Sequence, residues 1–204
     1  YSEESKIQEC VANEICNMYT RVSFKLHPSI VDIREFLWVN YHSIKDGYLL
    51  DLRYTCYVNI SDFSINKELD ELETYNNASS ARRQEIRYAI KKGVKTTLST
   101  DVSMFINLYQ MTFDRQDNKV CADLLEDMGG LLESLIENDS CLMLKSSVAD
   151  DKVGSMAVFT LDQGVAYYLF GANDPSLRNQ HTGTAIIWDA FYFLAKKGVE
   201  RVDL

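Results

Sequence analysis

Proline and glycine are scarce, 2 and 9 residues in a chain of 204, which excludes collagen-like, mucin-like and low-complexity classes. Positive charge is also short. Lys and Arg total 21 against 30 Asp and Glu, a net charge of −9, so an unlocalised grip on nucleic acid or anionic lipid is disfavoured and any anion must be held locally. The five cysteines, Cys10, Cys16, Cys56, Cys121 and Cys141, are odd in number and contain no C-x-x-C pair. Neither a disulfide framework nor a zinc site is therefore expected, and the thiols read as buried groups of a reducing cytoplasm. A catalytic cysteine would need an imidazole beside it, and only His27, His42 and His181 are available. Long apolar runs are missing as well: residues 185–188 and 190–195 are separated by Asp189 and are far too short to span a bilayer. The polar opening at Tyr1 has no basic stretch followed by an apolar one, so no signal peptide is expected.

What is present is a globular composition, 46% apolar and 25% charged, in a chain long enough to bury a core. Ile7, Val11, Ile15 and Met18 recur at helical spacing and predict a helix over residues 3–19. Alternation predicts strands over 21–26, 36–44 and 48–60, the last two joined by a turn at Lys45-Asp46-Gly47. The first sixty residues thus read as one unit of helix and small sheet, and 61–204 as the main domain. Helices are expected over 66–75, 80–92 with Gly93 as the stop, 101–113, and 120–137, with Gly129-Gly130 kinking or ending the last. An antiparallel meander follows over 141–148, 153–161 and 165–170, with turns at Asp150-Asp151 and Asp162-Gln163-Gly164. A loop over 171–184 then leads to a helix over 185–197, Gly198, and a last strand over 199–204. The fold class is α/β, with a mixed, mostly antiparallel sheet flanked by helices.

The chemistry gathers where the last loop meets its helix. Arg178-Asn179-Gln180-His181-Thr182-Gly183-Thr184-Ala185 stands at a strand-to-helix junction, where orphan N–H groups and the helix dipole attract phosphate and a glycine admits it to the backbone. Backbone N–H groups from Thr182 to Ala185 are the expected donors, helped by the side chains of Gln180 and Arg178. His181 is the one histidine in this loop and a candidate base near neutral pH. Tyr167 and Tyr168 face opposite sides of their strand, one toward the core and the other toward a cleft, which makes Tyr168 a second catalytic candidate. Asp174 and Asp203 read as a base or a cap. The stretch 81–95 holds six cations against Glu85 alone, a net +5 that leaves −14 for the remainder. Arg83, Arg87 and Lys91 form one stripe on it. It reads either as a solvated face or as a phosphate anchor, with Arg83 and Arg87 as substrate-binding residues. Trp188, Phe191 and Leu194 read as core.

The Gln180-x-x-Gly183-x-Ala185 spacing resembles the pyrophosphate loop of the GNAT acyltransferases, and meander, loop, helix and strand follow one another in that superfamily's order. The Arg83-x-x-Ile86-Arg87-x-Ala89-x-x-x-Gly93 run, Trp188-Asp189-Ala190, Gly198 and Val202-Asp203-Leu204 resemble the FemAB-type and related acetyltransferase-like domains, over about three quarters of the chain. The resemblance implies a GNAT-like domain that moves an acyl group from acetyl-CoA or another acyl-CoA to an amine of a small molecule, sugar or peptide. It implies that the strand through Leu169 and Gly171 pairs with the pantetheine arm. Two alternatives stay open: a FemAB-type transferase that uses aminoacyl-tRNA on a cell-wall precursor, the one case in which nucleic acid enters, and an inactive GNAT-like binding module. No metal and no membrane are implied. Such domains continue past the strand at 199–204, so the chain is expected either to be a fragment or to pair with a second copy through a bare terminal edge strand.

Overall fold

The computed structural model describes residues 2–43, 47–64, 67–114 and 120–204, and it divides into two compact units, Tyr1–Thr55 and Cys56–Leu204. In the first, α1 (Glu3–Met18) starts where the Ser2 hydroxyl accepts from Ser5 N. Beside it stands the short helix α2 (Arg34–Trp38). Ala12, Phe36 and Val39 are buried together, and the Tyr48 hydroxyl donates to Ala12 O at 3.0 Å. The strands expected over 21–26 and 36–44 are not formed among the described residues. Alternation in 21–26 finds no ladder to join, and the three-residue spacing of Ile33, Phe36 and Val39 serves a helical turn instead. Lys45 and Asp46 of the expected turn, with Ile44, lie outside the described residues.

The second unit holds a six-stranded sheet. Its strands are β1 (Tyr57–Asn59), β2 (Lys95–Leu98), β3 (Cys141–Ser147), β4 (Val153–Asp162), β5 (Val165–Asn173) and β6 (Arg201–Asp203), in the order β1-β6-β5-β4-β3-β2. Only β5 and β6 run parallel, with Ala166 opposite Val202. The expected strand over 48–60 shrinks to β1, which pairs Val58 with Val202. That pairing corrects the expectation of a bare terminal edge, because β6 lies between β5 and β1 and the sheet's edges are β1 and β2.

Both faces of the sheet are covered, which is why β3 and β4 read as nearly unbroken apolar runs. Leu142, Leu144, Ala157 and Phe159 face α7 (Thr182–Lys196), while Met143, Met156 and Val158 face α5 (Val102–Asp114) and α6 (Ala122–Glu137). Gly129 and Gly130 neither kink nor end α6: Leu125, Met128 and Leu132 hold it on the sheet, and that packing outweighs the glycines' low helix propensity, about 1 kcal/mol each. The meander's turns are those expected, with Asp150, Asp151, Gln163 and Gly164 all at positive φ. Over the sheet's α7 side lie α3 (Glu73–Asn77), capped by Asp62 through a 2.9 Å bond from Glu73 N, and α4 (Ser80–Lys91), stopped at Gly93 with φ 67°. The helix expected over 66–75 is thus a 3-10 turn, Leu69–Glu71, followed by α3, with Asn66 outside the described residues. Among the described residues no helix is long and apolar enough to cross a membrane.

Candidate functional site

The loop expected over 171–184 is largely regular. β5 continues to Asn173, a 3-10 turn occupies Pro175–Gln180, and α7 begins at Thr182, three residues before its expected start at Ala185. Asp174 caps the turn by accepting from Ser176 N at 2.8 Å. Burial pushes this carboxyl up, but the Ser176 bonds and Lys152, 3.6 Å away, outweigh it and hold the group below its ordinary range. Of the two roles open to Asp174, the structure shows the cap. His181, at φ 62°, then turns the chain sharply into α7.

Three polar side chains fasten the start of α7 to the sheet. Ser155 Oγ lies 2.7 Å from both Thr182 Oγ1 and Asn173 Oδ1, and Asn173 exchanges backbone bonds with Thr112 Oγ1 on α5. A Cβ at Gly154 would stand 2.7 Å from Thr182 Oγ1, so only glycine lets the helix come this close to β4. Ala185 N already donates to His181 O at 2.9 Å, which shortens the expected donor run. Thr182, Gly183 and Thr184 supply the N–H groups that have no helical acceptor.

Of these, Gly183 and Thr184 open onto a cleft of 870 Å³ within the second unit, while Thr182 is buried behind them. Gly183, Thr184 and Arg82 stand on its wall, Trp188 and Phe191 of α7 line its apolar side, and Asp62 and Glu73 bring carboxylates to it. Tyr168 lines it from β5, beside a bulge: Val158 pairs with Phe170 and Phe159 with Tyr168, so Leu169 is left out of the β4 ladder. The phenol of Tyr168 folds back over Gly171, where any side chain would collide with it. Burial raises the pKa of this phenol, so it is a protonated donor at neutral pH.

Of the residues singled out in the sequence, Gly183, Thr184 and Tyr168 share the cleft wall. Arg178 and Gln180 lie in the 3-10 turn, off that wall, and Ala185 is buried at 6% exposure. The His181 ring lies beside Tyr88, with ring centres 5.7 Å apart, also off the wall. Leu169 is the bulged residue of β5, and neither it nor Gly171 lines the cleft. Arg83 and Arg87 do not line the cleft; Arg87 Nη1 donates to the Tyr75 hydroxyl at 2.7 Å. The basic helix reaches the site through Arg82, whose Nη1 lies 3.0 Å from Thr184 Oγ1, and through Lys92, which bonds Asn179 O. Sequence reasoning missed Glu85, which accepts from Thr184 Oγ1 at 2.8 Å, and the cleft carboxylates Asp62 and Glu73. The signal for Glu85 was its isolation as the one acid of a basic stretch.

A family model for an acetyltransferase (GNAT) domain matches residues 80–204. Among solved structures, FemX superposes with a TM-score of 0.60 at 13% identity, covering 74% of this chain and 52% of FemX. The chain therefore spans about half the length of that protein. A protein of unknown function from Bacteroides thetaiotaomicron gives 0.49 at 13%, over 74% of this chain and 49% of that one. The PaiA N-acetyltransferase of Thermoplasma acidophilum, solved with coenzyme A, gives 0.42 at 16%, over 52% and 74%. No curated protein matches the chain. The family match covers more than half of the residues, and the chain belongs to the GNAT acetyltransferase domain family.

Proposed function

We propose that this domain is an N-acyltransferase that takes its acyl group from acetyl-CoA or another acyl-CoA and passes it to an amine. The observation that carries this reading is the start of α7, whose first turn brings Gly183 and Thr184, with N–H groups that have no helical acceptor, onto the wall of the 870 Å³ cleft. A diphosphate fits such a donor set, because the helix dipole and the N–H groups of Gly183 and Thr184 favour an anion and Gly183 presents no side chain. When bound, acyl-CoA supplies the activated thioester carbonyl. The amine forms the new C–N bond as the C–S bond breaks, and the protein's work is to hold both partners in register. The N–H of bulged Leu169, next to cleft-lining Tyr168 and outside the β4 ladder, is the proposed donor to the carbonyl oxygen as charge develops there. Tyr168, which lines the cleft and is kept protonated by burial, is the proposed proton donor to the departing sulfur. His181 is the remaining candidate base, acting through water because it lies off the wall.

The basic α4 beside this helix start favours a second reading, the aminoacyl-tRNA-dependent transfer that the FemAB-type resemblance allows. Isothermal titration with acetyl-CoA, CoA and an aminoacyl-tRNA separates the two. Saturable binding of acetyl-CoA and CoA is expected; binding of aminoacyl-tRNA alone selects the second reading, and binding of none of them overturns both.

A further inference from the structure

The start of α7 already has an anion beside it, and that anion belongs to the protein. Glu85 Oε2 on α4 accepts from Thr184 Oγ1 at 2.8 Å and from Arg82 Nη1 at 2.6 Å, while the same Nη1 lies 3.0 Å from Thr184 Oγ1. Thr184 stands in the first turn of α7, where the dipole favours negative charge. Its hydroxyl has one hydrogen, and that hydrogen is given to Glu85. Arg82, the cation that α4 brings to the cleft wall, is likewise paired with Glu85. Both partners remain reachable by water, with side chains 59% and 35% exposed, and exposed ion pairs open readily.

We propose that Glu85 is an internal counter-anion of the donor site, a positioning residue that holds Arg82 and the Thr184 hydroxyl at the helix start and yields both to a phosphate group. This rests on the reading that the start of α7 receives the donor's phosphates. The exchange is decided by charge. A diphosphate carries more negative charge than one carboxylate, so Arg82 and the positive helix end favour it over Glu85, whereas a simple carboxylate ligand gains little by displacing a group like itself. Glu85 thus lowers the site's affinity for all anions and leaves it selective for the multiply charged ones.

Titration of the intact chain with coenzyme A and with inorganic pyrophosphate tests this. Glu85→Gln is expected to bind both about three- to fivefold more tightly, the reach of an exposed ion pair, and Arg82→Ala to bind them more weakly. In the Arg82→Ala background the gain from Glu85→Gln is expected to shrink, because no guanidinium is left to release. A tighter complex is a change that mere loosening of the α4–α7 contact does not produce. Should Glu85→Gln fold poorly, Glu85→Ala removes the same charge and is expected to show the same gain. Equal or weaker binding by both Glu85 variants overturns the proposal while leaving the donor site standing. Absence of binding by the parent and every variant overturns the donor site itself.

Discussion

The hydroxyl of Tyr168 occupies the space in which a side chain on Gly171 would have to begin. Two positions of one strand, three apart, therefore share one volume, and the bulge at Leu169 brings them to the same side. Gly171→Ala is expected to push the phenol away from its place over residue 171 without unfolding β5. The tyrosine should then titrate closer to its ordinary range, since burial is what raises it. An ultraviolet pH titration of the variant against Tyr168→Phe reads this directly, and an unchanged tyrosine titration would show that the ring keeps its place.

Gly183 is open to a ligand but tight behind. A Cβ there would meet Asn173 Oδ1 at 3.0 Å, so alanine needs only a small adjustment, while the branched side chain of valine must also project toward the donor N–H groups. Gly183→Val is expected to weaken CoA binding by about tenfold or more, equivalent to about 1.4 kcal/mol, with a smaller loss of thermal stability. Unchanged CoA affinity in a folded variant would move the phosphate site elsewhere.

Arg87 tests which basic residues serve the cleft. Its guanidinium bonds the hydroxyl of Tyr75, a buried ring packed on Trp188 with centres 5.8 Å apart. Arg87→Ala should cost about 1 kcal/mol of stability, the worth of one such bond, and leave CoA affinity unchanged. Calorimetry and titration on the same variant check both halves of that expectation, and a loss of affinity equal to that of Arg82→Ala would return Arg87 to the phosphate site.

The meander was legible because β3 and β4 are buried on both faces and its turns carry Asp-Asp and Gln-Gly, residues that tolerate positive φ. The end of α4 was legible for the same reason at Gly93. Residues 21–44 misled because alternation describes one strand, whereas a strand needs a partner. β1 was obscured within a longer alternating run because its ladder partner, β6, lies at the other end of the chain. In α6 the two glycines gave a local signal that packing of Leu125, Met128 and Leu132 overrode. Within the site, Gln180, Gly183 and Ala185 marked the helix start, yet Glu85 and Thr184 meet across 99 positions, a distance over which no periodicity reports.

Asp189 gives the pH dependence a sign. It lies in the middle of α7, half-buried over the sheet, and burial pushes its carboxyl up while a bond from Thr96 offsets part of the rise. The folded state therefore holds this proton more tightly than the unfolded chain does, and stability attributable to the group is greatest below the unfolded carboxylate range. As pH climbs from that range through the raised folded value, the native protein must ionise a desolvated carboxyl and the contribution is lost. At neutral pH Asp189→Asn removes that charge with little change in volume, so its melting temperature should exceed the parent's by about 2 °C. In acid, where the parent's carboxyl is protonated, the two curves should converge. Melting curves of both proteins across the acid range decide the matter: a constant gap at every pH would mean that the substitution acts through packing and that ionisation of Asp189 has no part in it.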